Sequence, residues 1–423
     1  DLGYFGIAAT NSTDDEATIP FLTPAREMFL EYDLTKMIHT LINPKKPNVG
    51  LISSLPIDSG ASQQPGRPGR WTVVDQINEF FEITPIASDT DNIPEDIDVL
   101  MIVHPKNLKE TMLYSIDQFV LRGGRVLAFV DSNAEAAFRP GPANKNDPVS
   151  DFDSILESWG VRLVKGKIAG DISSARRVNV RRGQKMAVAD YVVWLGLTKE
   201  NFNHDDVVTG DVELINVATP GILESLNLKG IKFDPLIQTS LKSMKIDREK
   251  ILAQPPDVIG LFRDFIPSGE HLSIAARVTG KIETGFPDGP PKKNTSITHV
   301  AKSDGEINVI VVADTDILQD SLWVEIQNLL GNKLLAPYAN NADFVLSALD
   351  NLSGSQDLIS LRGRSRPTRD FDLVREIRQK AELKYRTKEQ ELQGKLTEIR
   401  NQLNELVSRG NIKETDTINS KQK

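Results

Sequence analysis

The sequence of 423 residues contains no cysteine, which excludes a thiol nucleophile, a thiolate metal site and a disulfide framework. Histidine is scarce, and the five histidines show no spacing that is typical of a metal site. The phosphate-binding loop and the nucleophile elbow of serine hydrolases are also missing from the sequence. No apolar run approaches the roughly 18 residues that cross a bilayer. These absences predict a protein that is not an enzyme and that carries no cofactor.

The charge along the chain is uneven. In total, 50 Lys and Arg residues stand against 59 Asp and Glu residues, a net charge of −9. Residues 362–423 hold 16 of the basic and 10 of the acidic residues, a net of +6, which leaves 34 and 49, a net of −15, for residues 1–361. An acidic body with a basic tail argues against a nucleic-acid partner.

The stretch 98–131 carries the clearest fold signal. Short apolar runs at 99–103 and 126–130, bounded by proline and glycine, predict two buried strands. The residues between them repeat at helical spacing and predict a helix, with Asn107 as its N-cap and Glu110 as the reciprocal carboxylate. Two apolar strands joined by a helix pair in parallel, and the crossover is right-handed.

Further elements extend this unit into a sheet. A strand at 49–52, a helix at 71–80 and a strand at 81–86 come before it, and this succession predicts an α/β fold with a doubly wound parallel sheet. Beyond it, apolar alternation without long helices predicts mixed or antiparallel strands. We predict three parts in chain order: a parallel α/β domain (1–165), a second α/β region with mixed strands (166–361), and a basic linker with a long amphipathic helix (362–423).

Polar residues follow several of the predicted strands. In an open parallel sheet, ligands collect at the carboxyl ends of the strands. The candidate ligand-binding residues at these ends are Ser53, Ser54, Asp131, Ser132 and Asn133. The alternative is that these side chains only bond nearby backbone groups as strand-end turns.

A second acidic group follows the strand predicted at 307–312. Asp314 and Asp316, with Asp320 four residues further on, could supply oxygen ligands to Mg²⁺ or Ca²⁺. The alternative is an N-cap with acidic residues in the first helical turn. We favour this alternative, because neither glycine nor glutamate occurs at the spacing of a calcium loop.

The C-terminal part carries two candidate interfaces. Apolar residues spaced 4-3-4-3 form a short heptad seam, whose partner is the chain's own body, a second copy or another subunit. The seam consists of Leu392, Leu396, Ile399, Leu403 and Leu406. An arginine cluster before it suits lipid phosphates near a membrane, or a solvated linker. The cluster consists of Arg362, Arg364, Arg366 and Arg369.

Eight stretches, spread over nearly the whole chain, are familiar from one protein family. They are Ile19–Leu22, Phe29–Leu34, Lys46–Leu51, Asp98–Lys106, Gln118–Val126, Val312–Asp316, Asn341–Leu352 and Ser360–Arg362. Together they resemble the gliding-motility-type auxiliary proteins of ABC transport systems. The shared motifs are structural, so they indicate a family more than they indicate a chemistry.

The resemblance implies an inner-membrane protein whose large domain faces the periplasm. It implies a membrane-anchored part before this domain and a transmembrane helix after it, so we expect both to lie beyond Asp1 and Lys423. It also implies a flavodoxin-like sheet similar to that of class I glutamine amidotransferases and intraflagellar-transport proteins. Because the chain has no cysteine, the amidotransferase reaction is excluded.

The expected partners are ABC permease and ATPase subunits, and a second copy of the chain through the C-terminal helix. We therefore expect a non-enzymatic transport component that acts by protein–protein contact. A ligand-binding module for an envelope sugar, peptide or polymer is the alternative. A metal-assisted hydrolase that uses Asp314 and Asp316 ranks third.

Overall fold

The computed structural model describes most of the chain up to residue 354. The described residues are 6–19, 34, 37–38, 41–42, 46–58, 69–137, 148–182, 185–253, 255–291, 298–329 and 332–354. The chain divides into two compact units, 1–365 and 366–423, and every described residue belongs to the first. Among these residues, the helices are too short or too polar to cross a bilayer.

The predicted C-terminal helix lies outside the described residues, and it stays a prediction. The same holds for its seam, which is Leu392, Leu396, Ile399, Leu403 and Leu406. It also holds for the arginine cluster, which is Arg362, Arg364, Arg366 and Arg369.

The regular elements alternate between strands and short helices. The strands are β1 (Ile7–Thr10), β2 (Glu16–Ile19), β3 (Asn48–Ser53), β4 (Glu82–Pro85), β5 (Val99–Val103), β6 (Arg125–Phe129), β7 (Val161–Leu163), β8 (Lys167–Asp171), β9 (Ala175–Arg182), β10 (Lys185–Thr198), β11 (Leu214–Ala218), β12 (Leu223–Ser225), β13 (Ile231–Gln238), β14 (Ser243–Asp247), β15 (Ser273–Gly280), β16 (Ile307–Val312), β17 (Val324–Leu329) and β18 (Asn332–Pro337). The α-helices are α1 (Thr72–Phe80), α2 (Glu110–Leu121), α3 (Asp153–Ser158), α4 (Val258–Arg263) and α5 (Asn341–Leu352). The 3₁₀ turns are Glu135–Ala137, Lys199–Asn201, Arg248–Ile251, Asp316–Leu318 and Asp320–Leu322.

A large mixed sheet organises the described unit. Its strands run in the order β4-β3-β5-β6-β16-β15-β12-β7, and β13 also pairs with β15. The five strands from β4 to β16 are parallel, and the remaining pairings are antiparallel. Numbered along the chain, the parallel strands stand in the order 2-1-3-4-5, which is the order of flavodoxin-type sheets. The predicted α/β class is confirmed, whereas the likeness to amidotransferases stays a prediction.

Helices cover both faces of the parallel strands. Val99, Met101 and Val103 of β5 lie in one core with side chains of α1 and α5. Leu100 and Ile102 lie in the opposite core with side chains of α2 and α3. All five residues are buried, which explains why β5 is a continuous apolar run and not an alternating one. Each such side chain contributes about 1.5–3 kcal/mol of hydrophobic free energy.

The predicted N-cap of α2 is wrong. The helix begins at Glu110, and the extended residue before it, Lys109, makes no capping hydrogen bond through its side chain. Asn107 instead adopts a left-handed turn with φ +51°, a conformation that asparagine tolerates better than most residues. The helix ends before Gly123, which takes φ +90° and whose N–H donates to the carbonyl of Val120 at 3.0 Å.

Antiparallel pairing dominates between residues 166 and 284, as the apolar alternation predicts. β11, β10 and β9 form a three-stranded sheet, and β8 pairs with β14. The short helix α4 packs on β10 through Val258 and Leu261, in a third core that includes Ile168, Val192 and Ile246. Strands from both sides of residue 165 contribute to the large sheet, since β12, β13, β15 and β16 join β3 to β7.

Candidate functional site

Two neighbouring parallel strands bring two aspartates together. The register of β6 and β16 pairs Phe129 with Val312, and an aspartate follows two residues later in each chain segment: Asp131 and Asp314. Because residues two apart in extended chain point to the same face, both carboxylates project on one side. Asp316 joins them, so that carboxylate oxygens of all three lie within 4.8 Å of one another in a fully buried cluster. We call these three residues the carboxylate cluster.

Asp131 ties the end of β6 to the segment after β16. Its Oδ1 accepts a hydrogen bond from the N–H of Asn133 at 2.7 Å. Its Oδ2 accepts from both the N–H and the hydroxyl of Thr315, each at 2.8 Å. The Asp131 side chain therefore accepts from two backbone N–H groups, one after β6 and one after β16, as a backbone carbonyl would.

Asp314 links β16 to β11 and to the following 3₁₀ turn. Its Oδ2 accepts from the N–H of Ala218 at 2.9 Å. Its Oδ1 accepts from the N–H groups of Asp316 at 2.7 Å and Ile317 at 3.2 Å. These two donors belong to the first turn of a helical segment, where N–H groups have no partner within the helix. Asp314 therefore satisfies them as a capping residue does.

Asp316 fastens the chain that follows β6. Its Oδ2 accepts from the N–H of Glu135 at 2.7 Å, and its Oδ1 accepts from the N–H of Ala136 at 2.9 Å. The side-chain amide of Gln319 also donates to Oδ1. With this, each of the six oxygens of the carboxylate cluster accepts at least one hydrogen bond. The cluster thus holds the carboxyl ends of β6, β11 and β16 together.

Burial changes the acidity of the cluster. It raises the pKa of Asp131 to about 7, although the hydrogen bonds from Thr315 and Asn133 act in the opposite direction. Burial, together with the neighbouring carboxylates, also raises the pKa values of Asp314 and Asp316 well above their ordinary range. Three buried like charges repel each other, so the folded state favours bound protons or a bound cation at this place.

The donor set of the cluster matches a hard divalent cation. Carboxylate oxygens are the ligands that Mg²⁺ and Ca²⁺ prefer, and the three aspartates could each supply one. The hydrogen bonds to all six oxygens occupy part of this capacity, since each oxygen carries two lone pairs. Protons bound to the carboxyl groups neutralise these charges one by one without needing further ligands.

A polar group with longer side chains adjoins the cluster. Glu135 Oε1 accepts from the indole N–H of Trp194 at 2.8 Å, and burial raises the pKa of Glu135. Asn133 donates to the hydroxyl of Thr219 at 3.1 Å and accepts from Arg248 Nε at 3.3 Å. No local pattern predicts this group, because its members come from four separate segments with no shared motif: Glu135, Trp194, Thr219 and Arg248.

Two of the predicted serines, Ser53 and Ser54, lie at the end of a different strand from the carboxylate cluster, whereas Ser132 directly follows Asp131. β5 stands between β3 and β6, so Ser53 and Ser54 end a strand that is about 10 Å from the end of β6. Ser53 bonds locally to Leu55, donating to its carbonyl at 2.8 Å, and the exposed Ser54 donates to the carbonyl of Lys106 at 3.5 Å. The hydroxyl of Ser132 is buried and has no partner among the described residues.

The chain is similar to one known protein family. A protein-family model described as an ABC-type uncharacterized transport system matches residues 46–348. The chain belongs to this family. The match covers all five parallel strands and the carboxylate cluster, and it confirms the resemblance at the level of an ABC transporter auxiliary family. No curated protein matches the chain.

Two solved structures show a weak likeness. One is the polyextremophilic beta-galactosidase from the Antarctic haloarchaeon Halorubrum lacusprofundi, with 11% identity over 72% of this chain and 30% of that chain, at a TM-score of 0.30. The other is the exo-beta-1,4-mannosidase Op5Man5 from Opitutaceae bacterium strain TAV5, with 11% identity over 70% of this chain and 36% of that chain, at a TM-score of 0.22. The chain spans a minor part of either enzyme, and scores this low carry no conclusion.

Proposed function

We propose that the chain is a non-enzymatic, extracytoplasmic domain of an ABC-type transport system and that it acts by contact with permease and ATPase subunits. One observation carries this proposal. At the carboxyl end of the parallel strands, where such sheets usually hold reacting groups, every oxygen of the carboxylate cluster accepts a structural hydrogen bond. The three carboxylates of the cluster thus serve the fold, and the family match supplies the transport context.

The finer assignment to the gliding-motility type is part of the proposal. Its supports are the eight stretches that resemble that family and the 2-1-3-4-5 order of the parallel strands. The lack of cysteine suits an oxidising compartment such as the periplasm, where stray thiols are a liability. We propose an inner-membrane location with this domain on the periplasmic side.

Fractionation of the full-length gene product tests the proposal. The tagged protein should sediment with the inner membrane, and protease added to spheroplasts should reach this domain. After solubilisation, it should copurify with the permease and the ATPase. Recovery as a free cytosolic protein, without either subunit, would contradict the proposal. An inner-membrane protein with a cytoplasmic domain serves as the control for protease access.

A ligand-binding module is the second candidate, favoured by the polar group around Asn133, Glu135 and Arg248. These side chains offer an amide, a carboxylate and a guanidinium beside Trp194. A thermal-shift screen with envelope sugars and peptides tests it: the melting temperature should rise with one class, and the rise should vanish in Arg248→Ala. A metal-assisted hydrolase at Asp314 and Asp316 ranks below this. Purified protein whose metal content is unchanged by Asp314→Ala would exclude it.

A further inference from the structure

The strand β9 forms an exposed edge of the three-stranded sheet. The order is β11-β10-β9, and within the described part of the chain β9 pairs only with β10. Its outer edge therefore presents backbone N–H and C=O groups that can pair with another strand. The strand Ala175–Arg182 contains four arginines and no acidic residue, although the chain as a whole has a net charge of −9.

A comparison with another edge strand shows what is unusual about β9. Among the described strands β13 pairs with β15, and on its other side it makes one isolated bridge, from Ile237 to Phe202. It also contains Pro235 and two irregularities of register. Its charges cancel, since Lys232 Nζ lies 2.7 Å from Asp234 Oδ2. Proline and bulges block the addition of a strand. β9 has no proline, and its register with β10 is regular from Arg176 to Arg182. Of these features, only positive charge opposes the addition of another strand to β9.

One face of the β9–β10 ribbon is open. Arg177 and Asn179 of β9 are exposed, and across from Asn179 lies Val188, with 59% of its surface exposed. Met186, two residues before Val188 and therefore on the same face, is 68% exposed. The opposite face packs on the third core through Val178 and other side chains. Arg177 lies across from Asp190, and their ion pair is exposed and long at 3.9 Å. The open face therefore combines a weakly paired cation with apolar surface, next to a strand edge that no described strand covers.

Positive charge selects among the strands that could pair with this edge. A second copy of β9 would set arginines opposite arginines, which destabilises a cross-strand pair. A bilayer would leave the N–H and C=O groups of the edge unpaired, which costs several kcal/mol per group in lipid. An acidic strand satisfies both the backbone groups and the charge.

We propose that β9 binds an acidic extended segment of a partner protein by strand addition. Main-chain hydrogen bonds along the outer edge hold the segment, and the carboxylates of the segment lie on the open face beside Arg177. This inference rests on the proposed function, because it gives the chemistry of one contact with a transport partner.

Peptide binding to the full chain tests the inference directly. A fluorescent ten-residue peptide of alternating Glu and Val should bind about ten-fold more tightly than its Lys–Val counterpart, as measured by fluorescence anisotropy. The Arg177→Glu/Asn179→Glu variant should lose this preference, and Arg177→Lys should keep it. Equal affinities for the two peptides, or no saturable binding of the acidic one, would overturn the inference.

A second peptide separates strand addition from simple charge attraction. A Glu–Val peptide that is N-methylated at alternate positions keeps its carboxylates but loses half of its backbone donors. We expect roughly ten-fold weaker binding, because edge pairing supplies the main-chain hydrogen bonds. If the methylated peptide binds as well as the unmethylated one, the edge is not the site and the inference fails.

Photo-crosslinking in cells distinguishes this inference from the proposed function. A photoreactive residue at Asn179 should cross-link to a transport subunit, and one at Lys232 on the blocked edge β13 should not. If the subunits copurify but Asn179 forms no cross-link, the inference falls and the proposed function stands. If the subunits do not copurify at all, the proposed function falls first.

Discussion

The carboxyl end of the parallel sheet holds acidic side chains that are buried, whereas the edge of β9 holds basic side chains of which Arg177 is exposed. In the carboxylate cluster, three aspartates are fully buried and their oxygens all accept hydrogen bonds. On β9, Arg177 and Asn179 are exposed, and no described strand pairs with the outer edge. The comparison separates charges that hold the fold from charges that are available to a partner. The buried carboxyl groups have the shifted pKa values, but the exposed side chains of β9 are the ones that a partner can reach.

Removal of a buried carboxylate should have the largest effect on stability. Asp314→Ala leaves the N–H groups of Ala218, Asp316 and Ile317 without their acceptor, and we expect a loss of about 3 kcal/mol in the free energy of unfolding. Urea denaturation measures this loss. The control is Asp264→Ala, whose exposed pairing with Arg263 should leave the free energy of unfolding nearly unchanged. Equal losses in both variants would remove the distinction between the two settings.

The pH dependence of stability should reveal the buried protons. Burial raises the pKa of Asp131 from 3.8 to about 7 in the folded state. Because the folded-state pKa is raised, the contribution of the Asp131 proton to the free energy of unfolding is fully present below about pH 4. It is lost as the pH rises through about 7. The free energy of unfolding of the wild type should therefore fall, relative to that of Asp131→Asn, between pH 4 and pH 7. Parallel pH profiles for the two proteins would contradict a buried, protonated cluster.

Divalent cations should have a smaller effect, because bound protons and structural hydrogen bonds compete for the same carboxylate oxygens. We expect millimolar Mg²⁺ or Ca²⁺ at pH 7 to shift the melting temperature by less than about 1 °C relative to EDTA. A cation present at 100 times its dissociation constant would add about 2.7 kcal/mol to the free energy of unfolding. A shift of several degrees that is abolished by Asp316→Asn would show that the cluster is a metal site.

The smallest effect on stability should come from β9. The Arg177→Glu/Asn179→Glu variant changes exposed side chains, and the ion pair of Arg177 with Asp190 is long at 3.9 Å and exposed. We expect the free energy of unfolding to change by less than about 0.5 kcal/mol, while binding of an acidic peptide is lost. Urea denaturation and anisotropy on the same preparation measure both. A large loss of stability would place β9 among the residues that hold the fold.

Local pattern was sufficient to predict much of the fold. The apolar run 99–103 predicts β5, because a strand that is buried on both faces consists of consecutive apolar residues. The helical spacing after it predicts α2, because a helix that is buried on one face repeats its apolar residues at that spacing. The N-cap at Asn107 failed because a left-handed turn and an N-cap favour the same residue type. The antiparallel strands after residue 166 were predicted by their alternation, but their partners were not.

The candidate site was predicted in pieces. Asp131 was assigned to a ligand edge, and Asp314 and Asp316 to a separate metal group. Their meeting depends on β16 pairing next to β6, and this neighbour relation links segments that are far apart in the chain. Glu135 and Trp194 also meet only through tertiary structure. Strand order is a property of the whole sheet, so no local pattern carries it.

Copurification from solubilised inner membranes tests the central claim most directly. The full-length protein should be recovered with its permease and ATPase, the Arg177→Glu/Asn179→Glu variant should recover markedly less of them, and Arg177→Lys should recover as much as the wild type. Recovery of the wild type without any transport subunit, together with turnover of a small molecule that Asp314→Asn abolishes, would contradict the account.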